Sequence, residues 1–502
     1  MRAPRSPGTT FSRTVFRSGA FLSHLEEAGP IGGIPTNPHL RAFLVTGLVG
    51  ALLLAGLAWT PSASGARNVS ALLVEESGST DMLGGGDYVF VRFGLDAAFG
   101  VLWGNATHPN DVYLVAIKAR YLGVGQVYDT TGRQILTNYP VRYWTLYALR
   151  LDNLVEFRDN DGDGIADYRR AWNATSGEFD WYSPDGDAVE KRADLNATWS
   201  RGNITRSSTA TSRSWEFNLT ATNLPYVAVN GTVPPGAVLD RVRFGFHLNA
   251  SLEEIENVTV PNWRITIDTS RPRDLVQNVT RLENATFSGK VARYNLKWDQ
   301  EIVGWDFGGG ANRRLLLEFW ALVGNLIPPA AANWLDRQFV SRQGDDGAAR
   351  YESVAGSRTL DNRTGDLGTA DRVRTTSPYL EFGGNWSRVG RLTWVTDSTV
   401  DGVTQPLYAQ VLAARGIVTR GEAGGAYVGF VLLGGLSYAR GATIQHDPEF
   451  ATDVIAELTV PVDEGARVLI AVGVAVAVIL VGLLAFVLTR KKKPETQPPA
   501  KP

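Results

Sequence analysis

Apolar and polar side chains alternate along much of the chain between residues 67 and 307, which is the pattern of half-buried β-strands. In Arg241–Asn249 every second residue is Val, Phe or Leu, and in Ser214–Thr220 every second residue is Trp, Phe or Leu. Turn residues such as Pro184-Asp185-Gly186 separate such runs. The pattern predicts a mainly β fold, with an antiparallel β-sandwich ectodomain over residues 67–307.

Seven runs within this region have the alternation or the β-branched and aromatic content of strands. The predicted strands are Tyr88–Phe93, Val112–Tyr121, Val141–Phe157, Trp215–Leu219, Val242–Leu248, Trp263–Ile267 and Lys290–Trp298.

The apolar spacing changes after residue 307. Leu315, Phe319, Leu322 and Leu326 recur at helical spacing, so the sequence predicts a short helical insertion over residues 308–340. A helix in the core or between domains is favoured over one on a membrane surface, although the sequence allows both.

Two further regions follow the predicted helical insertion. Residues 341–377 are polar and rich in Gly, Asp, Arg and Thr, which predicts a linker or long loop. Residues 378–464 contain further strand patterns and are expected to form a second, membrane-proximal β-rich domain.

Two long uncharged runs indicate export and anchoring. Ala42–Trp59 follows the basic segment 1–41, so residues 42–66 are expected to be a signal peptide or an uncleaved signal anchor. Val468–Leu488 would span about 31 Å at about 1.5 Å per residue, which matches a lipid bilayer. Basic residues follow at once, so residues 489–502 are expected to be a cytoplasmic tail and the bulk extracellular.

N-linked glycosylation acceptors (N-x-S/T) are frequent, and they all fall between the two uncharged runs. They are Asn68, Asn105, Asn173, Asn196, Asn203, Asn218, Asn230, Asn249, Asn257, Asn278, Asn284, Asn362 and Asn385. Asn218 and Asn249 lie on the polar side of their predicted strands, so we expect them at the surface and expect N-linked glycans as partners.

Composition narrows the function classes. The net charge is −2, which argues against nucleic-acid binding, since that needs a basic face. The chain contains no cysteine, which excludes disulfides, thiol catalysis and iron–sulfur clusters. Dense acceptors, no cysteine, an export segment and a C-terminal anchor with a short basic tail resemble the architecture of archaeal surface glycoproteins. The resemblance is one of composition and segment order.

One short segment carries specific chemistry. Asp159, Asp161, Asp163 and Asp167 stand at positions 1, 3, 5 and 9 of a loop whose position 6 is glycine. Carboxylates at this spacing converge on one point, and the carbonyl of Ile165 at position 7 can face the same point. Oxygen ligands in this number suit Ca²⁺.

The segment resembles the DxDxDGxxD calcium loops of thrombospondin type 3 repeats, and more loosely those of EF-hands and dockerins. Position 12 is Arg170 rather than the acidic residue of EF-hands, so the usual bidentate ligand is missing and Glu178 or Asp180 would have to replace it. Bound Ca²⁺ is expected to have a structural role. The alternative is an acidic turn without metal.

No catalytic constellation stands out. The chain contains no HExxH and no GxSxG motif. The favoured function is therefore a structural, adhesive or ligand-binding role in the cell envelope, with other envelope proteins or glycans as partners. The alternatives are an anchored extracellular hydrolase, glycosidase-like or peptidase-like, and an accessory subunit of an envelope or transport complex.

Overall fold

A computed structural model describes residues 73–80, 84–93, 97–173, 178–182, 187–229, 231–268, 270, 276–327, 349–353, 356–360, 373–382, 390–420 and 426–459. The apolar runs Ala42–Trp59 and Val468–Leu488 lie outside these residues. Among the described residues no helix is long and apolar enough to cross a membrane.

The described residues form β-strands, turns and irregular segments. The strands are β1 (Leu73–Thr80), β2 (Gly86–Phe93), β3 (Ala97–Trp103), β4 (Val112–Asp129), β5 (Gln134–Arg158), β6 (Arg169–Asn173), β7 (Glu178–Tyr182), β8 (Ala188–Asp194), β9 (Ser200–Arg201), β10 (Thr205–Ser208), β11 (Ser212–Ala228), β12 (Val238–Ile267) and β13 (Val276–Val303). They continue with β14 (Arg313–Ile327), β15 (Ala349–Ser353), β16 (Gly356–Leu360), β17 (Val373–Arg374), β18 (Tyr379–Phe382), β19 (Gly390–Thr393), β20 (Asp397–Val400), β21 (Val403–Pro406), β22 (Tyr408–Arg420), β23 (Ala426–Ala439), β24 (Thr443–His446) and β25 (Glu449–Thr459).

Most of the described strands belong to one continuous hydrogen-bonded sheet of 23 strands, which folds into two layers joined through β8 and through β4 and β12. The first layer runs β1-β2-β3-β4-β5-β14-β23-β22-β17. The second layer has β11, β12 and β13 at its centre, and β25 continues it from β13 towards β19, β18, β15 and β16. The described ladders are antiparallel except for one short parallel pairing between β4 and β12. The prediction of a mainly β, antiparallel fold is therefore confirmed.

The main core lies between the two layers. Aromatic rings meet across it: Phe99 of β3 stacks on Phe450 of β25 with ring centroids 6.1 Å apart, and Trp103 lies 5.7 Å from Phe217 of β11. The alternation predicted for β11 and β12 is present, because residues such as Phe217 and Phe246 are buried while their sequence neighbours face outwards.

The first layer is buried on both faces. In β14, Leu315, Leu317 and Phe319 belong to the core between the layers, whereas Leu316 and Trp320 belong to a second apolar cluster on the opposite face. A strand with two buried faces has no polar alternation, so its sequence is continuously apolar.

The predicted helix is therefore wrong over Arg313–Ile327, which is β14 and lies between β5 and β23. Its apolar residues recur at helical spacing only because nearly every position is apolar. Residues 308–312 of the predicted insertion are irregular, and residues 328–340 lie outside the described residues.

Two other predictions concern residues 341–377 and 378–464. Residues 341–377, predicted as a linker or loop, contain the short strands β15, β16 and β17, so at least these parts are ordered into the layers. Strands of the predicted membrane-proximal region pair with earlier ones, β23 with β14 and β25 with β13. The division into two β-rich domains is not confirmed.

Candidate metal centre

The acidic loop connects β5 to β6 and is folded by its own carboxylates. Asp159 accepts hydrogen bonds from the N–H of Gly162 through Oδ1 at 2.8 Å and from the N–H of Gly164 through Oδ2 at 3.1 Å. Both glycines have left-handed backbones, with φ of 79° and 83°. The tight turn predicted at Gly164 is present, and it is a conformation that glycine adopts without steric cost.

The next two aspartates continue the same pattern. Asp161 accepts the N–H of Asp163 at 3.2 Å, and Asp163 accepts the N–H of Ile165 at 2.9 Å. Each aspartate thus caps the backbone two residues later, which is a local hydrogen bond that this side chain forms readily. The loop is built by the same residues that would hold a cation.

Asp187, just before β8, closes the loop from the other side of the β6–β7 hairpin. Its Oδ1 accepts the N–H of Asn160 at 2.8 Å, and its Oδ2 accepts the N–H of Asp167 at 3.1 Å. It is 2% exposed. Nothing in its local sequence distinguishes Asp187, so the sequence alone does not predict it as a ligand. The suggested substitutes Glu178 and Asp180 lie in β7, opposite Asn173 and Ala171.

Three carboxylates converge. One carboxylate oxygen from each of Asp159, Asp161 and Asp187 lies within 4.8 Å of the other two. Asp159 and Asp187 are buried and Asp161 is exposed, so the group opens to solvent on one side. Asp163 and Asp167 belong to the loop but not to this group, and Ile165 is buried beside them.

The electrostatics of the loop favour a cation. Burial is the largest cause that raises the pKa of Asp187 to about 6; the two N–H groups that it accepts oppose this shift, and the charges of Asp167 and Asp159 add to it. Burial also raises the pKa of Asp163, and the charge of Asp161 adds to that shift. Carboxylates that repel one another in a partly dry site are stabilised by an opposite charge.

Buried polar side chains fasten the loop to the first layer. Gln410 of β22, 1% exposed, accepts the N–H of Ala166 at 2.7 Å and donates to its carbonyl at 2.9 Å. The hydroxyl of Tyr168 donates to Glu318 of β14 at 2.6 Å, and both side chains are buried. The loop therefore has a fixed place on the sheet.

Aromatic and basic side chains flank the loop. The ring of Tyr408 fills the space that a side chain at Gly164 would need, since an added Cβ would lie 2.2 Å from Cε2 of the ring. The guanidinium groups of Arg374 and Arg314 lie 4.2 and 4.9 Å from the centre of this ring. Arg374 also donates to the carbonyl of Asp163 at 3.3 Å, so it contacts the loop at its backbone.

Carboxylates also gather elsewhere, where two of them contact basic side chains. A shallow depression of about 340 Å³ on the outer face of the second layer includes Asp299 and Asp447. Asp299 lies 2.9 Å from His247, and Asp447 lies 2.7 Å from Lys297.

The predicted glycosylation acceptors differ in exposure. Asn203, Asn249, Asn257, Asn278 and Asn284 are exposed, and Asn105, Asn196 and Asn218 are half-buried. Asn173 lies in β6. Asn68, Asn230, Asn362 and Asn385 lie outside the described residues.

Comparison with protein-family models, curated proteins and solved structures found no match to this chain. What can be said of its function therefore depends on its own residues. The acidic loop offers carboxylate oxygens and no nitrogen or sulfur ligand, a donor set that fits a hard cation such as Ca²⁺.

Proposed function

We propose that this chain is a membrane-anchored extracellular glycoprotein with a structural, adhesive or ligand-binding role in the cell envelope. Val468–Leu488 would hold it in the lipid bilayer, and residues 73–459 would lie outside the cell. Its partners would be N-linked glycans that it carries and proteins or glycans of the envelope.

The distribution of the glycosylation acceptors carries this proposal. β11, β12 and β13 carry Asn218, Asn249, Asn257, Asn278 and Asn284, and all of these except half-buried Asn218 are exposed. Among the described residues, no strand of the first layer carries an acceptor. The acceptors thus collect on strands whose outward positions reach solvent, where an attached sugar would meet no steric conflict.

Fractionation of the producing cells tests the proposal. The full-length protein should stay with the membranes until detergent is added, and deglycosylation should lower its mass. External protease should cleave the ectodomain on intact cells, and a reporter fused after Pro502 should be active only in the cytoplasm. Recovery of unglycosylated chain in the soluble fraction, without detergent, would contradict the proposal.

We further propose that the acidic loop binds one structural Ca²⁺. Asp159, Asp161, Asp163 and Asp167 with the carbonyl of Ile165 are the ligands that the sequence suggests, and Asp187 supplies a further carboxylate. The convergence of Asp159, Asp161 and Asp187 carries this proposal. Because the loop is bonded to β14 and β22, an ion here would join the β6–β7 segment to the first layer.

A further inference from the structure

The outer face of the second layer has a polar depression around one glycosylation acceptor. Its volume is about 330 Å³, near the lower end of the range for small-ligand sites. Its lining includes Ser212, Ser214, Asn249, Ser251, Arg293 and Asn295. Hydroxyl, amide and guanidinium groups on a shallow floor are suited to the hydroxyls of a sugar.

Strand register places Asn249 in the middle of this floor. Asn249 of β12 stands opposite Ser214 of β11 and opposite Asn295 of β13. Directly opposed residues on one face of a sheet have Cβ atoms about 5 Å apart. A group attached to Asn249 would therefore lie across these small neighbours, with Ser251 and Arg293 opposite each other in the next outward row.

The carboxamide of Asn249 is available for attachment. Within the described part of the chain it makes no hydrogen bond, whereas two other acceptors, Asn105 and Asn218, use theirs. Asn105 accepts the N–H of Thr107 and His108 and donates to Asp87, and Asn218 accepts from Arg243 at 3.1 Å. Asn249 combines exposure, an unengaged amide and a polar surround.

The neighbours are already held in position. Asn295 donates through Nδ2 to Glu449 at 2.7 Å, which leaves its buried Oδ1 without a hydrogen-bond partner. Arg293 is paired with Glu253 at 3.0 Å. These two contacts fix side chains that form the floor of the depression.

We propose that this depression seats the first sugar of a glycan attached to Asn249; the inference rests on the proposed glycoprotein function. The donor would be an oligosaccharide linked through phosphate to a lipid. The Asn249 Nδ2–C1 bond forms, the C1–oxygen bond to phosphate breaks, the amide loses one proton and the lipid phosphate leaves. The attached ring then packs on Ser214 and Asn295, so the glycan stabilises the sheet beneath it.

Hydrogen exchange on the full-length protein purified from its own membranes tests this. Ser251→Ala keeps Asn249 but destroys the acceptor motif, and Ser251→Thr retains it as the matched control. Peptides from β11 and β13 beside the depression should exchange at least about threefold faster in Ser251→Ala than in Ser251→Thr. Asn278→Gln, which removes a distant acceptor, should leave those peptides unchanged.

Mass spectrometry of the same samples separates the outcomes. Sugar on Asn249 together with the exchange difference supports the proposal. Equal exchange in the two Ser251 variants, or an unmodified Asn249 beside a modified Asn278, overturns this inference and leaves the glycoprotein function standing. A chain with no sugar on any acceptor overturns both.

Discussion

His446 of β24 shows how a polar residue is tolerated in the core between the layers. It is 5% exposed, its Nδ1 lies 3.2 Å from the hydroxyl of Tyr438, and its Nε2 lies 3.2 Å from the carbonyl of Val395. Both contacts are hydrogen bonds if the neutral ring donates through Nε2 and accepts through Nδ1. Burial lowers the pKa of His446 to about 4, although the Val395 carbonyl and Asp447 oppose the shift.

This residue should make the protein sensitive to acid. An unfolded histidine binds its proton near pH 6.5, whereas folded His446 binds it only near pH 4, so its contribution to stability is lost as the pH falls between these values. Glutamine at this position can accept from Tyr438 and donate to Val395 but binds no proton. In His446→Gln the free energy of unfolding should therefore fall by about 3 kcal/mol less between pH 7 and pH 4 than in wild type. Urea unfolding at pH 7, 5.5 and 4 measures the free energy of unfolding of both proteins. Parallel pH profiles would show that His446 is not the source of the acid sensitivity.

The proposed metal ligands divide into those that sequence can predict and one that it cannot. Asp159, Asp161, Asp163 and Asp167 have a spacing whose geometry is local, and Gly164 has the left-handed backbone that this spacing requires. Asp187 is separated from these residues in sequence by the β6–β7 hairpin. It reaches the site because the backbone N–H groups of Asn160 and Asp167 donate to its carboxylate. That contact is tertiary, so no local pattern encodes it.

At the scale of elements, the difference between local and tertiary information also explains why the sequence predicts a helix where β14 forms. Strands with one buried face, such as β11 and β12, alternate visibly, and the sequence predicts their central parts, Trp215–Leu219 and Val242–Leu248. β14 has β5 and β23 on its edges and apolar clusters on both faces. An apolar run of this kind is consistent with a helix or a strand, because periodicity cannot distinguish two buried environments.

Gln410 connects the acidic loop to β22, and its removal should loosen the loop. Gln410→Ala would leave the buried N–H and carbonyl of Ala166 without partners and should lower the free energy of unfolding by about 2–4 kcal/mol. Gln405→Ala on the neighbouring β21 is the matched control and should cost under about 0.5 kcal/mol. Equal unfolding free energies for the two variants, measured with urea in metal-free buffer, would show that the two hydrogen bonds do not fasten the loop.

At the scale of the whole described fold, the two layers have different surfaces. The first layer has apolar residues buried on both faces, and the acidic loop docks on its outer side. The second layer carries the polar rows and most of the described acceptors. The sequence predicts the β class because composition and alternation give the same signal over many strands. It does not predict that β23 pairs with β14 or that β25 pairs with β13, because these pairings depend on contacts between distant segments.

The central claim is that an ion at the acidic loop joins the β6–β7 segment to the first layer. Binding of a ligand to the folded state alone raises stability by about 2.7 kcal/mol when its concentration is 100 times the dissociation constant. The purified full-length protein should therefore unfold at a higher temperature in Ca²⁺ than in EGTA.

Calorimetric titration with Ca²⁺ is the most direct measurement. Wild type should bind one ion per chain, and the double variant Asp161→Ala with Asp163→Ala should bind none. Asp129→Ala, which removes the carboxylate that caps the β4–β5 turn far from the loop, should bind like wild type. Equal heats from wild type and the double variant, or no heat from wild type, would contradict the account.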